Sequence, residues 1–357
     1  MQLAFALGRR SLGRAWPNPA VGAVVVKDGV VLGRGWTQPG GRPHAETEAL
    51  KRAGKAARGA TMYVTLEPCS HQGKTPPCAD AIIRAGIARV VSALEDPNPE
   101  VAGQGYTKLR ERGIAVETGL AAEAARRTHI GHIRRISEGR PHVLLKLALS
   151  ADGKVGAAGR KPVAITGEAA RIEVSLLRAR HDAILVGIGT VLSDNPSLTC
   201  RLPGMMDHSP VRVVLDAQLR VALSYSVVAT ARETPTWIVC APSASEMAEQ
   251  VLRDKGVEVL RVEAKEERFD LPQLLKVLAE RGITRLMVEG GPTVAASFVQ
   301  ADLVDEAVLF HAPRNIGPDG INALEGLPLT ALTQSSHLKS LGSEQVGDDT
   351  MERYERH

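Results

Sequence analysis

Apolar and polar positions alternate along the chain in two rhythms. Residues 1–14 space their apolar side chains as a short amphipathic helix, and an apolar run at 21–26 resumes at 30–33 after Asp28-Gly29. Two such runs joined by Asp-Gly predict a β-hairpin. Beyond it, helical patterns at 45–57, 78–85, 105–112 and from about 121 take turns with extended ones at 60–66, 89–94 and 114–118. That order predicts an α/β sandwich built on a central sheet. A second series opens with an extended run from Val143. Strands are expected at 183–186, 211–215, 237–240, 257–262, 286–288 and 307–311, with helices at 167–179, 246–255, 271–281 and 293–301. Between the two series lie Arg126, Arg127, Arg134, Arg135 and Arg140, then Pro141. The domain boundary is placed there, giving domains 1–140 and 141–357. The charge run reads as a solvated helix face and linker in preference to a nucleic-acid patch.

Two domains suit 357 residues. Hydrophobic residues at 44% and charged residues at 24% are globular values, and the glycines and prolines follow no period, which excludes collagen-like and mucin-like chains. No apolar run approaches the roughly 20 residues of a membrane span, and the first residues lack a secretory charge order. The cytoplasm is the expected compartment. A net charge of +4 suits phosphorylated small molecules as well as nucleic acid. Aromatic residues at 3% argue against single-strand stacking platforms. Of four cysteines, Cys69 and Cys78 lie near each other and near His71. Without a secretory signal that grouping points to metal rather than a disulfide.

The pair has a context. His44-Ala-Glu46 opens one predicted helix, and Pro68-Cys69 through Pro77-Cys78 opens the next. One imidazole and two thiolates make three zinc ligands and leave the fourth tetrahedral position to water, the mark of a catalytic zinc. Helix N-termini favour thiolate over thiol. Glu46 follows the ligand His44 by two residues, where it can take a proton from the zinc-bound water and pass it to a leaving amine. Zinc deaminases share this arrangement, but with two residues between the cysteines where this chain has eight. The longer gap leaves two alternatives: His71 in place of a cysteine, and a closed structural zinc.

The inserted loop Glu67-Pro-Cys-Ser-His-Gln-Gly-Lys74-Thr-Pro-Pro-Cys78, with Trp16-Pro-Asn18-Pro-Ala-Val-Gly and Glu95-Asp96-Pro-Asn98-Pro, resembles the deaminase half of the bifunctional riboflavin biosynthesis deaminase/reductase family. The resemblance implies a cytidine-deaminase-like three-layer α/β domain in which His44, Cys69 and Cys78 hold Zn2+ and Glu46 moves protons. It places Asn18, Lys74 and Asn98 on the substrate. A lysine is a mobile point charge suited to phosphate, and asparagines offer both donors and acceptors to a pyrimidine or ribose.

In the second half, Gly187-Ile-Gly189 lacks the third glycine of the Rossmann fingerprint. Glu289-Gly-Gly291-Pro-Thr293 instead delivers a strand end into a helix N-terminus, where free N–H groups can hold phosphate. Together with 146–154 and 187–201, this segment resembles the reductase half of the same family. That half implies a dihydrofolate-reductase-like fold and NADPH. The resemblance puts Ala148, Ala164, Thr190, Asp194 and the stretch Gly291, Pro292, Thr293, Val294, Ala295, Ala296 and Ser297 at the cofactor. It puts Arg178, Leu198, Arg201 and Glu289 at the ribosyl-phosphate substrate, where arginine forks match a phosphate. Many relatives carry Ser-x-Trp where this chain has Pro162-Val-Ala164, a Gly at Ala148, and a Ser at Ala217.

The function expected is hydrolytic deamination of 2,5-diamino-6-ribosylamino-4(3H)-pyrimidinone 5′-phosphate, followed by NADPH reduction of the ribosyl group to ribityl. Lys146, Asp152 and Glu289 are candidates for polarising or protonating the second substrate. Expected partners are small phosphorylated pyrimidines, with neither nucleic acid nor membrane, and the family implies a homo-oligomer, dimer or tetramer. The competing reading is a nucleoside or nucleic-acid deaminase with an unrelated second domain.

Overall fold

The computed structural model describes residues 1–73, 75–160 and 163–357. The chain divides into two units, Met1–Pro141 with Leu278–Thr284, and His142–Val277 with Arg285–His357.

In the first unit the elements run α1 (Gln2–Arg9), β1 (Gly22–Lys27), β2 (Val30–Trp36), α2 (Ala45–Ala53), β3 (Thr61–Val64), α3 (Cys78–Ala85), β4 (Arg89–Ser92), α4 (Gln104–Arg110), β5 (Ala115–Thr118) and α5 (Ala122–Glu138). The sheet has the order β2-β1-β3-β4-β5. β1 is antiparallel to β2 and β3, and the remaining pairs are parallel. The expected hairpin is present, with Asp28 and Gly29 both at positive φ (49° and 77°), as a two-residue type I′ turn requires. Side chains of a strand alternate between faces. Ala23 and Val25 join the core under α2 and α3, while Val24 packs with Ala4 and Leu7 of α1. Phe5, Ala93 and Ala125 tie α5 into that second layer. Helices therefore cover both faces of the sheet, giving three layers.

Two glycines seat α2. A Cβ at Gly33 would stand 2.1 Å from the Ala49 carbonyl oxygen, and one at Gly35 would stand 2.0 Å from that of Ala45. Only a bare backbone lets the helix lie this close. The helix ends at Ala53 rather than at 57, because Gly54 takes a positive φ of 55° and the next residues tighten into a 3-10 turn.

In the second unit and the residues threading through it run β6 (His142–Leu149), β7 (Lys154–Gly156), α6 (Glu168–Ala179), β8 (Ala183–Gly187), α7 (Ile188–Asp194), β9 (Val211–Leu215), α8 (Ser226–Ala229), β10 (Thr236–Cys240), α9 (Glu246–Asp254), β11 (Glu258–Arg261), β12 (Ala264–Lys265), β13 (Arg268–Phe269), α10 (Leu271–Glu280), β14 (Arg285–Val288), α11 (Pro292–Gln300), β15 (Glu306–His311), β16 (Ile321–Asn322), α12 (Thr330–Thr333), β17 (Leu338–Val346) and β18 (Asp349–Arg356). Nine strands form one sheet in the order β11-β10-β9-β8-β14-β6-β15-β18-β17. It is parallel from β11 to β15 and closes with the antiparallel β18 and β17. Strands β9 and β10 are buried at every position, as parallel strands covered on both faces must be. No described helix is long and apolar enough to cross a membrane.

Candidate active sites

His44 caps the N-terminus of α2, Glu46 lies in that helix's first turn, Cys78 is the first residue of α3, and Cys69 sits in the loop before it. The ligand atoms of His44, Cys69 and Cys78 all lie within 4.8 Å of one another. His44 Nδ1 is 3.7 Å from Cys69 Sγ and 3.3 Å from Cys78 Sγ. A tetrahedral zinc with Zn–S of about 2.3 Å and Zn–N of about 2.0 Å sets its nitrogen and sulfur ligands about 3.5 Å apart. The donor set and spacing fit zinc. His71 lies on the cavity wall, and the metal-capable group found among the described residues does not include it.

The N–H of Cys78 donates to Cys69 Sγ at 3.3 Å. Cys69 is brought down to about 4 by its hydrogen bond with the Cys78 thiol, aided by His44 and that N–H, while the same bond and burial push Cys78 up. Asn18 Nδ2 donates to the Gly41 carbonyl at 2.8 Å and lies 3.3 Å from His44 Nε2, on the ring edge away from the sulfurs. It therefore also steadies the imidazole, a role partners of metal-binding histidines commonly fill.

Glu46 is 3% exposed. Burial pushes its carboxyl up to about 7, where it can both accept and return a proton near neutral pH. Asn18, His44, Glu46, Cys69 and Asn98 line one cavity of about 200 Å³. Lys74 lies outside the described residues.

Sequence reasoning missed what holds the cavity's far wall. Buried Glu67 accepts N–H bonds from Asp96 (3.2 Å), Gly103 (3.0 Å), Gly105 (2.9 Å) and Tyr106 (3.4 Å). Asp96 accepts from the Asn98 N–H at 2.9 Å and pairs with His132 at 3.2 Å. Arg42, Asp96, His132 and Arg135 all face the cavity. Asp96 was visible as part of a Pro-rich motif. His132 and Arg135 sit within the basic run of α5, where no local pattern distinguishes them. Elsewhere in that run Arg127 pairs with Glu123 in solvent, and the largely buried Arg134 and Arg140 pair with Glu138.

In the second unit, pairing of Val288 with Leu145 brings Glu289 beside Lys146. Glu289 lies 3.3 Å from Lys146 Nζ and accepts both arms of the Arg178 fork at 2.8 and 2.9 Å. Arg178 also donates to the Thr199 carbonyl at 3.1 Å. Its guanidinium is thus committed to protein partners. Asp152 accepts from the Ser150 hydroxyl at 2.6 Å and from the N–H groups of Ile316 and Gly317, the first of these holding its carboxyl down to about 2.

Beside this cluster is a cavity of about 490 Å³ bordered by Thr190, Asp194, Gly291, Pro292, Thr293, Val294 and Ser297. Thr190 Oγ1 accepts the Gly291 N–H at 3.1 Å, joining α7 to the start of α11. Other residues expected at cofactor or substrate are not among those bordering this cavity. Ala295 and Ala296 are buried in the core-facing side of α11, and neither Ala148 nor Ala164 lines the cavity. Leu198 is packed in the core at a φ of 55°, and Arg201 is exposed with Nη2 donating to Ser197 Oγ at 3.2 Å.

Comparison with known proteins follows the same division. Residues 1–94 match the family described as the cytidine and deoxycytidylate deaminase zinc-binding region, and residues 141–351 match the RibD C-terminal domain. The riboflavin biosynthesis protein RibD of Bacillus amyloliquefaciens is 43% identical over 98% of this chain and 93% of its own length. That of Escherichia coli is 40% identical over 98% and 96%. Among solved structures, Acinetobacter baumannii RibD aligns over 100% of this chain and 97% of its own, with a TM-score of 0.87 and 36% identity. The Thermotoga maritima diaminohydroxyphosphoribosylaminopyrimidine deaminase/5-amino-6-(5-phosphoribosylamino)uracil reductase gives 0.85 at 35% identity over the same shares. The matches run through both units, which removes the reading of an unrelated second domain. With a zinc-ready trio in one unit and a charged cluster beside a large cavity in the other, the chain belongs to the RibD family of bifunctional riboflavin biosynthesis enzymes.

Proposed function

We propose that the first unit hydrolytically deaminates 2,5-diamino-6-ribosylamino-4(3H)-pyrimidinone 5′-phosphate and that the second reduces the ribosyl group of the product, 5-amino-6-(5-phosphoribosylamino)uracil, to ribityl with NADPH. The observation that carries this reading is that His44, Cys69 and buried Glu46 line one cavity, with Cys78 within metal-ligating range of His44 and Cys69.

His44, Cys69 and Cys78 hold the zinc, which when bound lowers the pKa of a water ligand to about 7. Glu46 holds a proton on its carboxyl and returns it to the departing amine nitrogen. Asn18 and Asn98 orient the pyrimidine or ribose, and Lys74 meets the phosphate.

NADPH, when bound, supplies hydride to C1 of the ring-opened ribosylamine. Of the three protonation candidates, Glu289 is held at about 2 and Asp152 at about 2. Both are ionised at neutral pH and have no proton to give. Lys146, whose Nζ lies 3.3 Å from Glu289, is the remaining donor. Thr190, Asp194 and the residues from Gly291 to Ser297 that reach the cavity bind the cofactor, with the phosphates at the N-terminus of α11. Arg201 is the arginine free of a carboxylate partner among the two expected at the substrate phosphate. Self-association as a dimer or tetramer completes this reading, and sedimentation velocity checks it.

The test is one reaction mixture of zinc-loaded protein, the diaminopyrimidinone phosphate and NADPH, followed for ammonia and for absorbance of the reduced cofactor. Ammonia released first and NADPH consumed after it is the expected course. Metal-loaded protein that releases no ammonia refutes the substrate assignment.

A further inference from the structure

The basic run of α5 holds two histidines that the chemistry above does not use. Ala125, His129, His132 and Ile136 recur at helical spacing (i, i+4, i+7, i+11), which puts them on one face of the helix. That face reaches the loops after β3 and β4, two adjacent parallel strands. His129 Nε2 lies 3.2 Å from the Thr65 carbonyl oxygen and 3.1 Å from its hydroxyl, just past the end of β3. His132 Nε2 lies 3.2 Å from Asp96 Oδ1, in the loop after β4. The His132 side chain is 10% exposed and that of Asp96 12%, and both line the cavity of the zinc trio.

Asp96 opens the turn that carries Asn98. One oxygen of Glu67 accepts the N–H groups of both Asp96 and Gly103, which draws the ends of the segment 96–103 together. Inside it, Asp96 Oδ1 accepts the Asn98 N–H at 2.9 Å and Asn98 Oδ1 accepts the Glu100 N–H at 3.1 Å. These side-chain-to-backbone bonds fix the local shape of the turn. With its oxygen engaged by Glu100, Asn98 offers a ligand the two N–H donors of Nδ2. The bond from His132 is of another kind, because it comes from a separate helix and sets where the turn stands against the cavity. Fold stability does not account for the histidine. A carboxylate accepts, so Nε2 carries the hydrogen, and Nδ1 is buried without a hydrogen-bond partner among the described residues. An unsatisfied buried acceptor is a cost that an apolar side chain of similar size avoids. What the ring contributes is its contact with Asp96.

We propose that His132 is a positioning residue of the deaminase: by holding the Asp96 carboxylate it fixes the turn that presents Asn98 to the substrate. The proposal rests on the reading of Asn98 as a substrate contact and adds the group that places it. His132 bonds to Asp96 and not to His44, Cys69, Cys78 or Glu46, so it acts on substrate binding and leaves metal binding and proton transfer alone.

Steady-state ammonia release from the diaminopyrimidinone phosphate by the zinc-loaded full chain tests it, with zinc content measured for every variant. His132→Leu should raise KM about 10-fold, the scale of a hydrogen bond to a charged group, while kcat stays within about twofold and zinc stays stoichiometric. His132→Gln keeps an N–H donor near the Nε2 position and should return KM to within about threefold of the wild-type value. In an Asn98→Ala background, His132→Leu should add less than about twofold, because two residues that act through one another are not additive. An unchanged KM in His132→Leu overturns the assignment. A Gln variant no better than Leu also overturns it, as does a loss of kcat or zinc in step with KM, the mark of a merely structural role. Effects of His132→Leu and Asn98→Ala that multiply in full overturn the route through Asp96 and put His132 on the substrate itself. Wild-type protein with stoichiometric zinc that releases no ammonia overturns the substrate reading, and the proposal with it.

Discussion

Replacing Glu289 by Gln probes how the reductase centre is held. The carboxylate is 12% exposed, lies 3.3 Å from Lys146, and accepts the Arg178 fork. Burial alone would raise its pKa, but Lys146 and Arg178 overcome this and hold it at about 2, below the ordinary 4.5. That displacement corresponds to about 3 kcal/mol of stability at about 1.4 kcal/mol per pKa unit. Because the folded pKa is the lower one, the contribution is complete above 4.5 and is lost as pH falls toward 2. The Gln variant keeps the shape but leaves two cations without their anion, and breaking a buried pair in this way costs about 3–5 kcal/mol. Urea unfolding followed by fluorescence of Trp237, buried in β10, reads the second unit once Trp16 and Trp36 of the first unit are replaced by Phe in both proteins. At pH 7 its transition should weaken by about 3–5 kcal/mol, a fall in Tm of roughly 6–20 °C for a unit of this size. The gap between the proteins should then shrink by about 1.4 kcal/mol for each pH unit below 4.5. A loss under about 1 kcal/mol at pH 7, or a gap that stays constant down to about pH 3.5, would refute the reasoning.

Three further outcomes are expected. Glu46→Gln should keep stoichiometric zinc by atomic absorption yet slow ammonia release by about 10²- to 10⁴-fold, and an unimpaired variant removes the proton-transfer role. Gly35→Ala places a methyl group 2.0 Å from the Ala45 carbonyl oxygen, so α2 must move. The first unit should lose about 1–3 kcal/mol and bind zinc more weakly, since His44 and Glu46 travel with that helix, and calorimetry with normal zinc affinity would contradict this. Arg201→Ala should raise the reductase KM about 10-fold with kcat little changed, from lost phosphate binding, and unaltered kinetics take Arg201 out of the site.

How legible the molecule was depends on what confines each residue. Strands such as β9 and β10, buried on both faces, show as apolar runs interrupted only by Arg212 and Thr236, and were read nearly to the residue. β17 was missed because it is the outer strand and seven of its nine residues are exposed, leaving no apolar rhythm. α7 was hidden by Gly187 and Gly189, which in sequence suggest only a failed phosphate loop. The zinc trio was legible because few residue types bind zinc and each stands at a helix start. Glu67 and His132 act through chain segments about 30 or more residues away, and nothing local marks such partners. Leu198 has a structural role that its motif did not announce: its side chain is part of the core.

The position of β18 in the second sheet governs when that sheet can form during synthesis. β6 lies between β14 and β15, and β15 takes β18, residues Asp349–Arg356, as its other neighbour. Every strand pair of the first sheet, in contrast, lies between Gly22 and Thr118. As the nascent chain emerges, the zinc-binding sheet can assemble while more than half of the polypeptide is still unmade. The reductase sheet is completed only when Asp349–Arg356 emerge, and the apolar edge of β15 is exposed until then. A chain that stops short of Asp349 therefore releases a finished deaminase sheet attached to an aggregation-prone edge, and losing the final hairpin damages the second enzyme far more than its distance from Lys146 in sequence suggests.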